Sequence, residues 1–100
     1  MFVVIFRATV RQLDDHYSAM AARMRELALS EFGCLGFHAV TEGEQEVALS
    51  YWPDEAAIRA WKNHPEHLLA QQHGRQRWYT SYSVEVAEVS RRYQGGEAAV

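Results

Sequence analysis

The segment Phe2–Val10, FVVIFRATV, constrains the fold more than any other part of the sequence. Its β-branched and aromatic side chains predict a strand. Side chains alternate between the two faces of a strand, and here both faces are apolar: one carries Phe2, Val4 and Phe6, the other Val3 and Ile5. A sheet that contains this strand must be covered on both sides, because a large apolar face is unfavourable in water.

An amphipathic helix is predicted next. Asp14 or Asp15 can cap its N-terminus, and Gly33 ends it after about Phe32. Apolar residues recur on one face at spacings of four and three: Leu13, Tyr17, Met20, Met24 and Leu27. This spacing is typical of a helix that packs one face on a sheet.

Two further strands are predicted to form a hairpin. Residues 34–41 form the first strand and Gln45–Trp52 the second, and the turn Glu42-Gly43-Glu44 joins them. A short connection that contains glycine is typical of antiparallel neighbours.

The second helical region is interrupted by proline. Asp54 can cap a helix whose inner face carries Ala57, Ile58 and Trp61. The helix must break before Pro65, because proline lacks an amide donor and clashes with the preceding turn. Asn63 or His64 can then cap a second piece over residues 65–72, with Pro65 in its first turn.

The last predicted strand covers residues 78–92. Simple alternation along this strand places Trp78 and Tyr82 on one face and Tyr79 on the other.

The predicted order of elements is β-α-β-β-α-β. Right-handed connections turn this order into an α+β, ferredoxin-like sandwich: a four-stranded antiparallel sheet with both helices on one face. We expect a second copy of the chain to cover the other face, which predicts a homodimer that closes into a dimeric α+β barrel. Residues 1–93 form the single predicted domain, and residues 94–100 a flexible C-terminal tail.

Composition excludes several classes of function. The 100 residues carry 10 Lys and Arg against 13 Asp and Glu, and the basic residues are scattered, so we expect no nucleic-acid partner. No apolar run approaches the ~20 residues of a membrane span. The N-terminal segment lacks the basic flank and cleavage site of a signal peptide, so we expect a cytoplasmic protein. Cys34 is the only cysteine, which leaves no internal disulfide.

A set of motifs runs through residues 50–93: Tyr51-Trp52, Trp61, His64-Pro65-Glu66-His67, Ala70-Gln71, Gly74-Arg75, Trp78-Tyr79 and Tyr82. Together with the order of elements, this set resembles the antibiotic biosynthesis monooxygenase (ABM) domain family over about residues 2–93. The resemblance implies a dimeric α+β barrel. It also implies one of two activities: oxygenation of polycyclic phenols to quinones without metal or flavin, or the binding and degradation of haem.

Haem-degrading members of that family use an Asn on the first strand, a Trp in the second helix and an iron-ligating His ten residues after that Trp. Trp61 matches the Trp, but Gln71 stands at the His position, and Phe6 or Arg7 stands where the Asn is needed. The resemblance therefore favours a protein without a cofactor. Haem binding, with His64 or His67 on the iron, stays an alternative.

His67 is the predicted catalytic base. Oxidation of a phenol by O2 requires the loss of a proton, and imidazole titrates near neutrality. Trp61, the second predicted catalytic residue, offers an aromatic face on which a flat ligand can stack. A hydrogen-bonded structural histidine and a core tryptophan are the alternatives. His64 and His67 are three residues apart, which suits a metal, but no third ligand is evident and we predict no metal site.

The predicted substrate-binding residues are polar or aromatic: His64, Gln71, Trp78, Tyr82, Tyr51 and Phe37. The prediction is a cofactor-independent monooxygenase that oxidises a phenolic or polycyclic small molecule with O2. A non-enzymatic dimeric module that binds a small ligand is a further alternative, and a cavity filled by its own side chains would favour it.

Overall fold

The strand β1 (Phe2–Val10) has a hydrogen-bonded neighbour on each side and so lies inside the sheet. The computed structural model describes residues 1–11 and 14–96. The other strands are β2 (Gly36–Glu42), β3 (Gln45–Trp52) and β4 (Tyr79–Glu88). All pairs are antiparallel and the order across the sheet is β2-β3-β1-β4. The predicted ferredoxin-like α+β fold is confirmed.

Three helices pack on one face of this sheet: α1 (Asp15–Glu31), α2 (Glu55–Lys62) and α3 (Pro65–His73). A π-helical turn over Gly74–Trp78 follows α3 directly. The predicted second helical region thus consists of two helices separated at Pro65. Among the described residues, no helix combines the length and the apolar character needed to cross a membrane.

Local capping signals fix where the helices begin. Asp14 accepts a hydrogen bond from the Tyr17 amide at 2.7 Å, and Asp54 accepts one from the Ala57 amide at 2.8 Å. His64 Nδ1 accepts from the Glu66 amide at 3.1 Å and so caps α3. Such caps satisfy amides that have no partner within the helix.

The predicted inner face of α1 is confirmed for the residues described. Met20 packs against the core, and Tyr17, Met24 and Leu27 are buried; Leu13 lies outside the described residues. Gly33, with a φ of 75°, has the left-handed conformation that ends a helix and that glycine adopts without strain.

The prediction for the last strand was wrong in two respects. The strand begins at Tyr79 and ends at Glu88, because Trp78 belongs to the π-helical turn. The register between β1 and β4 also shifts at Thr9 and Val10. This irregularity places Tyr79 and Tyr82 on the same face, with ring centroids 5.3 and 6.3 Å from that of Phe6. Simple alternation fails because a bulge adds a residue to one strand.

Two other boundaries differ from the prediction. The second strand begins at Gly36, two residues late, because the chain first turns at Cys34, whose thiol donates to the Gly36 carbonyl at 3.2 Å. Beyond Glu88 the chain has no regular structure up to Gly96. Of the predicted flexible tail, residues 97–100 lie outside the described residues.

The face of the sheet that points away from the helices, here called the outer face, carries an apolar patch beside the Arg7–Glu85 ion pair. It carries Val3 and Ile5 of β1, which pair with Tyr51 and Leu49 of β3. Val40 of β2 lies on the same face and is 68% exposed. Among the described residues no helix or strand covers this face, and the segment after β4 reaches it at Arg92, whose guanidinium lies 5.8 Å from the centre of the Tyr51 ring.

Leu27 lies at the centre of the core between α1 and the sheet and is fully buried, whereas Leu29 on the same helix is 44% exposed. Removing a buried leucine side chain loses its transfer free energy and leaves a cavity. We expect Leu27→Ala to lower the free energy of unfolding by about 2–5 kcal/mol and Leu29→Ala to lower it by about 0.5 kcal/mol or less. Urea denaturation followed by circular dichroism at one protein concentration measures both. Equal losses in the two variants would contradict this core.

Candidate functional site

A cavity of about 520 Å³ lies between the helices and the inner face of the sheet. Protein interiors are normally close-packed, with few voids larger than a water molecule. Among the residues of β2, β3 and α1 that line the space, five are small and help to leave it open: Ala39, Ala48, Ser50, Ala21 and Ala22. Its volume falls in the range of about 300–1,000 Å³ that is typical of ligand pockets. We call it the main cavity.

Trp61 forms part of the wall of the main cavity and is held rigidly. Its indole N–H donates to the Met24 carbonyl on α1 at 3.1 Å. Its ring lies 5.1 Å from that of the fully buried Trp52 and 6.2 Å from that of Phe37. Trp61 is therefore both a core residue and a preformed aromatic surface for a ligand.

His67 lines the main cavity on α3, with its ring edge-on to Trp61 at 4.3 Å. One turn further along α3, Gln71 places its amide nitrogen 2.9 Å from His67 Nδ1 and 3.2 Å from the Lys62 carbonyl. A backbone carbonyl can only accept, so this Gln71 atom is the NH2 donor, and His67 Nδ1 is the acceptor. The neutral imidazole then carries its proton on Nε2.

Burial also keeps the His67 imidazole neutral. Loss of solvation lowers the pKa of His67 from its usual 6.5 to about 4, and the charges of Lys62 and His64 act in the same direction. At neutral pH the residue therefore presents a fixed N–H donor.

A second polar group lies in the wall formed by β3. Glu46 is buried, and the hydroxyl of Tyr17, which is itself buried, donates a hydrogen bond to Glu46 Oε2. The ring of Tyr79 lies 6.1 Å from that of Tyr17, and burial raises the pKa of Tyr79 to about 12. Burial and the contact with Glu46 raise the pKa of Tyr17 well above its usual range. Both tyrosines thus remain protonated donors.

The position of Tyr79 depends on a glycine. A Cβ atom on Gly74 would lie 2.7 Å from the Tyr79 ring, so only glycine lets the ring pack against this part of the backbone. Beside it, Tyr82 and Ser83 of β4 line a cleft that opens next to His67 and Gln71. This side cleft shares the wall residues Phe6, Tyr79 and Val84 with the main cavity.

The structure brings most of the predicted site residues together. Five of them line the main cavity: Phe37, Trp61, His67, Gln71 and Trp78. Tyr82 lines the side cleft. His64 caps α3 and packs edge-on to Phe32 at 5.8 Å, and Tyr51 lies on the outer face below Arg92. Because His64 and Tyr51 line neither space, we leave them out of the proposed site.

Sequence reasoning missed Glu46, Tyr17 and Tyr79. The alternation within β3 contains the signal for Glu46: one face reads Glu46, Ala48, Ser50, Trp52 and the other reads Val47, Leu49, Tyr51. An acidic residue followed by two small ones, on the face that ends in a buried tryptophan, indicates a polar cavity wall. The predicted helix face already contained Tyr17, but only as a core residue.

The residues of the cavity do not fit haem in the family's manner. Gln71, at the position of the iron-ligating histidine, is engaged with the Lys62 carbonyl and His67. His67 is the histidine that lines the cavity, and it lies edge-on against Trp61. Across residues 1–11 and 14–96, no three His, Cys, Asp or Glu side chains are grouped as metal ligands are.

Known proteins resemble this chain both in sequence and in fold. The sequence profile of the family described as antibiotic biosynthesis monooxygenase matches residues 1–73. The uncharacterized protein YqjZ of Bacillus subtilis is 40% identical over 91 residues, which make up 90% of this chain and 80% of YqjZ.

Two solved structures share the fold at low sequence identity. One is a mutant of SnoaB, a cofactor-independent oxygenase from Streptomyces nogalater, with a TM-score of 0.76 and 17% identity over 91% of this chain and 94% of SnoaB. The other is Rv0793 from Mycobacterium tuberculosis, with a TM-score of 0.79 and 18% identity over 93% of this chain and 98% of Rv0793.

The lowered pKa of His67 predicts how stability depends on pH. Between about pH 6.5 and about 4 the unfolded chain binds a proton that the folded chain does not. The free energy of unfolding is therefore highest above pH 6.5 and falls as the pH drops, by about 3 kcal/mol in total from this group. We expect His67→Gln to flatten this part of the profile, measured by urea denaturation at several pH values. The control His16→Gln, at an exposed position of α1, should keep the wild-type slope, and a His67→Gln profile as steep as wild type would contradict the assignment.

Proposed function

The chain belongs to the antibiotic biosynthesis monooxygenase family, and on this premise we propose that it oxidises an aromatic small molecule with O2 and without an added cofactor. The observation that carries the proposal is the open main cavity, in which Trp61 and His67 form adjoining parts of the wall. A non-enzymatic module whose cavity is filled by its own side chains is disfavoured by the same observation.

The walls of the main cavity suit a flat apolar ring. Phe37, Trp61 and Trp78 contribute aromatic surface, and Val4 and Met20 contribute aliphatic surface. Aromatic rings attract one another in stacked or edge-to-face arrangements beyond the effect of buried area. A ring held here is removed from bulk water, so charges that develop on it interact more strongly with nearby dipoles.

The geometry of His67 favours a role as donor over the role of base. Its Nδ1 already accepts from Gln71, and its pKa of about 4 makes it a weak base at neutral pH. When a phenol is oxidised by O2, an electron passes to O2 and the resulting oxygen species carries negative charge. A fixed N–H donor in a dry site stabilises such a charge as it develops. We assign this role to His67 Nε2, with Gln71 as the residue that holds the tautomer.

Oxygen uptake by purified protein, with no added cofactor and a panel of anthrones and naphthols, tests this function. We expect uptake by wild type to be lowered about 10²-fold in His67→Ala, as for the loss of one charge-stabilising donor. Gln72→Ala, at an exposed position of α3 that lines neither space, should leave it unchanged.

The pH profile separates the two roles of His67. With His67 as a neutral donor, uptake stays level as the pH falls through 6.5, because the Nε2 proton is present throughout this range. A base with the usual histidine pKa would lose activity near pH 6.5. Uptake that is unchanged in His67→Ala would remove His67 from the mechanism.

We also propose that the chain forms a homodimer through the outer face of the sheet. Val3, Ile5 and Leu49 are only half-buried there, and Val40 is 68% exposed, although all are large and apolar. A second copy, packed sheet against sheet, would bury these residues and give the dimeric barrel that is common in this family.

Sedimentation equilibrium tests the dimer. We expect a mass of twice the 11.5 kDa of the chain at micromolar concentration. Leu49→Lys places a charge at the centre of the outer face and should shift the mass to that of one chain, because an unpaired charge in an apolar interface is costly. Leu68→Lys changes an exposed leucine on α3 and should remain dimeric. A wild-type mass of one chain would rule out the dimer.

A further inference from the structure

The inner wall of the main cavity contains a carboxyl group that has no role in the proposed function so far. Glu46 of β3 is 8% exposed and lines the cavity. The hydroxyl of Tyr17, near the start of α1, donates a hydrogen bond to Glu46 Oε2. None of the salt bridges formed within residues 1–11 and 14–96 includes Glu46.

A buried carboxylate needs more than one partner. Its two oxygens offer about four acceptor sites, and burial without compensating hydrogen bonds is costly. Tyr17 fills one of these sites, and it stays a donor because burial and Glu46 keep its hydroxyl protonated. Since Glu46 lines the cavity, a bound ligand can fill the remaining capacity.

The surroundings favour a neutral donor on that ligand. Arg25 and Lys62 line the same cavity, and their charges offset those of Glu26 and Glu46, so the wall offers a cationic ligand no net attraction. Aromatic and aliphatic side chains make up most of the remaining wall. A hydroxyl group on an aromatic ring satisfies the carboxylate and keeps the rest of the ligand apolar.

We propose that Glu46 accepts a hydrogen bond from a hydroxyl group of the aromatic ligand, and that Tyr17 positions the carboxylate for this contact. The inference deepens the proposed function and rests on it. The site then selects hydroxylated rings over rings that carry only an ether. On oxidation, the O–H bond of the ligand breaks, the proton moves to Glu46, and the electron moves to O2. The ligand becomes a neutral aryloxyl radical, and O2 becomes superoxide beside the N–H of His67.

Binding of two probes by calorimetry tests the selectivity without any turnover. The probes are 2-naphthol and its methyl ether 2-methoxynaphthalene, in which a methyl group replaces the hydroxyl proton. We expect wild type to prefer 2-naphthol, and Glu46→Gln to reduce that preference about fivefold to tenfold, because a hydrogen bond to a charged acceptor is stronger than one to an amide. Glu44→Gln, an exposed carboxylate in the neighbouring turn, should bind both probes as wild type does.

A spectroscopic titration separates a ligand contact from a structural role. The phenolate of 4-nitrophenol absorbs visible light, so its fraction on the protein can be measured against pH. A negative carboxylate beside the bound hydroxyl opposes ionisation, so the midpoint for bound 4-nitrophenol should be higher in wild type than in Glu46→Gln. Glu46→Asp keeps the charge and should retain a raised midpoint, and it also serves if Glu46→Gln does not fold.

The outcomes distinguish this inference from the proposed function. If wild type and folded Glu46→Gln show the same preference and the same midpoint, Glu46 does not contact the ligand, whereas oxygen uptake could still occur. If wild type binds neither naphthalene probe, both the aromatic cavity and the role of Glu46 are overturned. Selectivity for 2-naphthol that depends on Glu46 supports the inference even where no oxygen is consumed.

Discussion

The arrangement of helices and sheet depends on the indole of Trp61, which contacts elements on both sides of the core. The indole connects to α1 through the Met24 carbonyl, to β3 through Trp52, and to α3 through the ring of His67. The helices fixed at this point leave a space above the sheet, and its wall includes the small side chains of Ala39, Ala48 and Ser50. The cavity therefore results from tight packing around Trp61 combined with small side chains on the inner face of the sheet.

The two faces of β3 differ in composition: the outer face is apolar, and the inner face has small side chains beside the cavity. Val47 and Leu49 make the outer face the more apolar one, while Ala48 and Ser50 leave room on the inner face. A strand buried only by its own helices would show the reverse pattern, with its bulky apolar residues turned inward. This inversion is understandable if the outer face is buried by something other than the helices of the same chain, as a dimer would provide.

The sequence predicts the parts of this fold that depend on local signals. The caps at Asp14 and Asp54, the break at Pro65 and the hairpin each need only a few neighbouring residues, and each was confirmed. The position of Tyr79 was missed because it depends on a register shift and on packing against Gly74, which involve distant parts of the chain. Tyr51 was expected near the ligand as an aromatic residue of the central hairpin, but alternation along β3 places it on the outer face. Glu46 was missed, although the same alternation places it on the inner face with Ala48 and Ser50.

Two polar groups line the cavity: His67, whose imidazole has an N–H donor, and Glu46, whose carboxylate has acceptor sites that Tyr17 does not fill. Gln71 fixes the His67 tautomer, so the neutral imidazole carries its proton on Nε2, the donor that we propose for the ligand. Glu46 offers carboxylate oxygen, and Tyr17 supplies only part of what a buried carboxylate requires. A ring without polar groups would fill the apolar space but supply no acceptor for the His67 N–H and no second donor for Glu46, and a buried polar group left unsatisfied costs about 1–3 kcal/mol. Selectivity in such a site arises less from attraction to the right ligand than from the penalty for the wrong one.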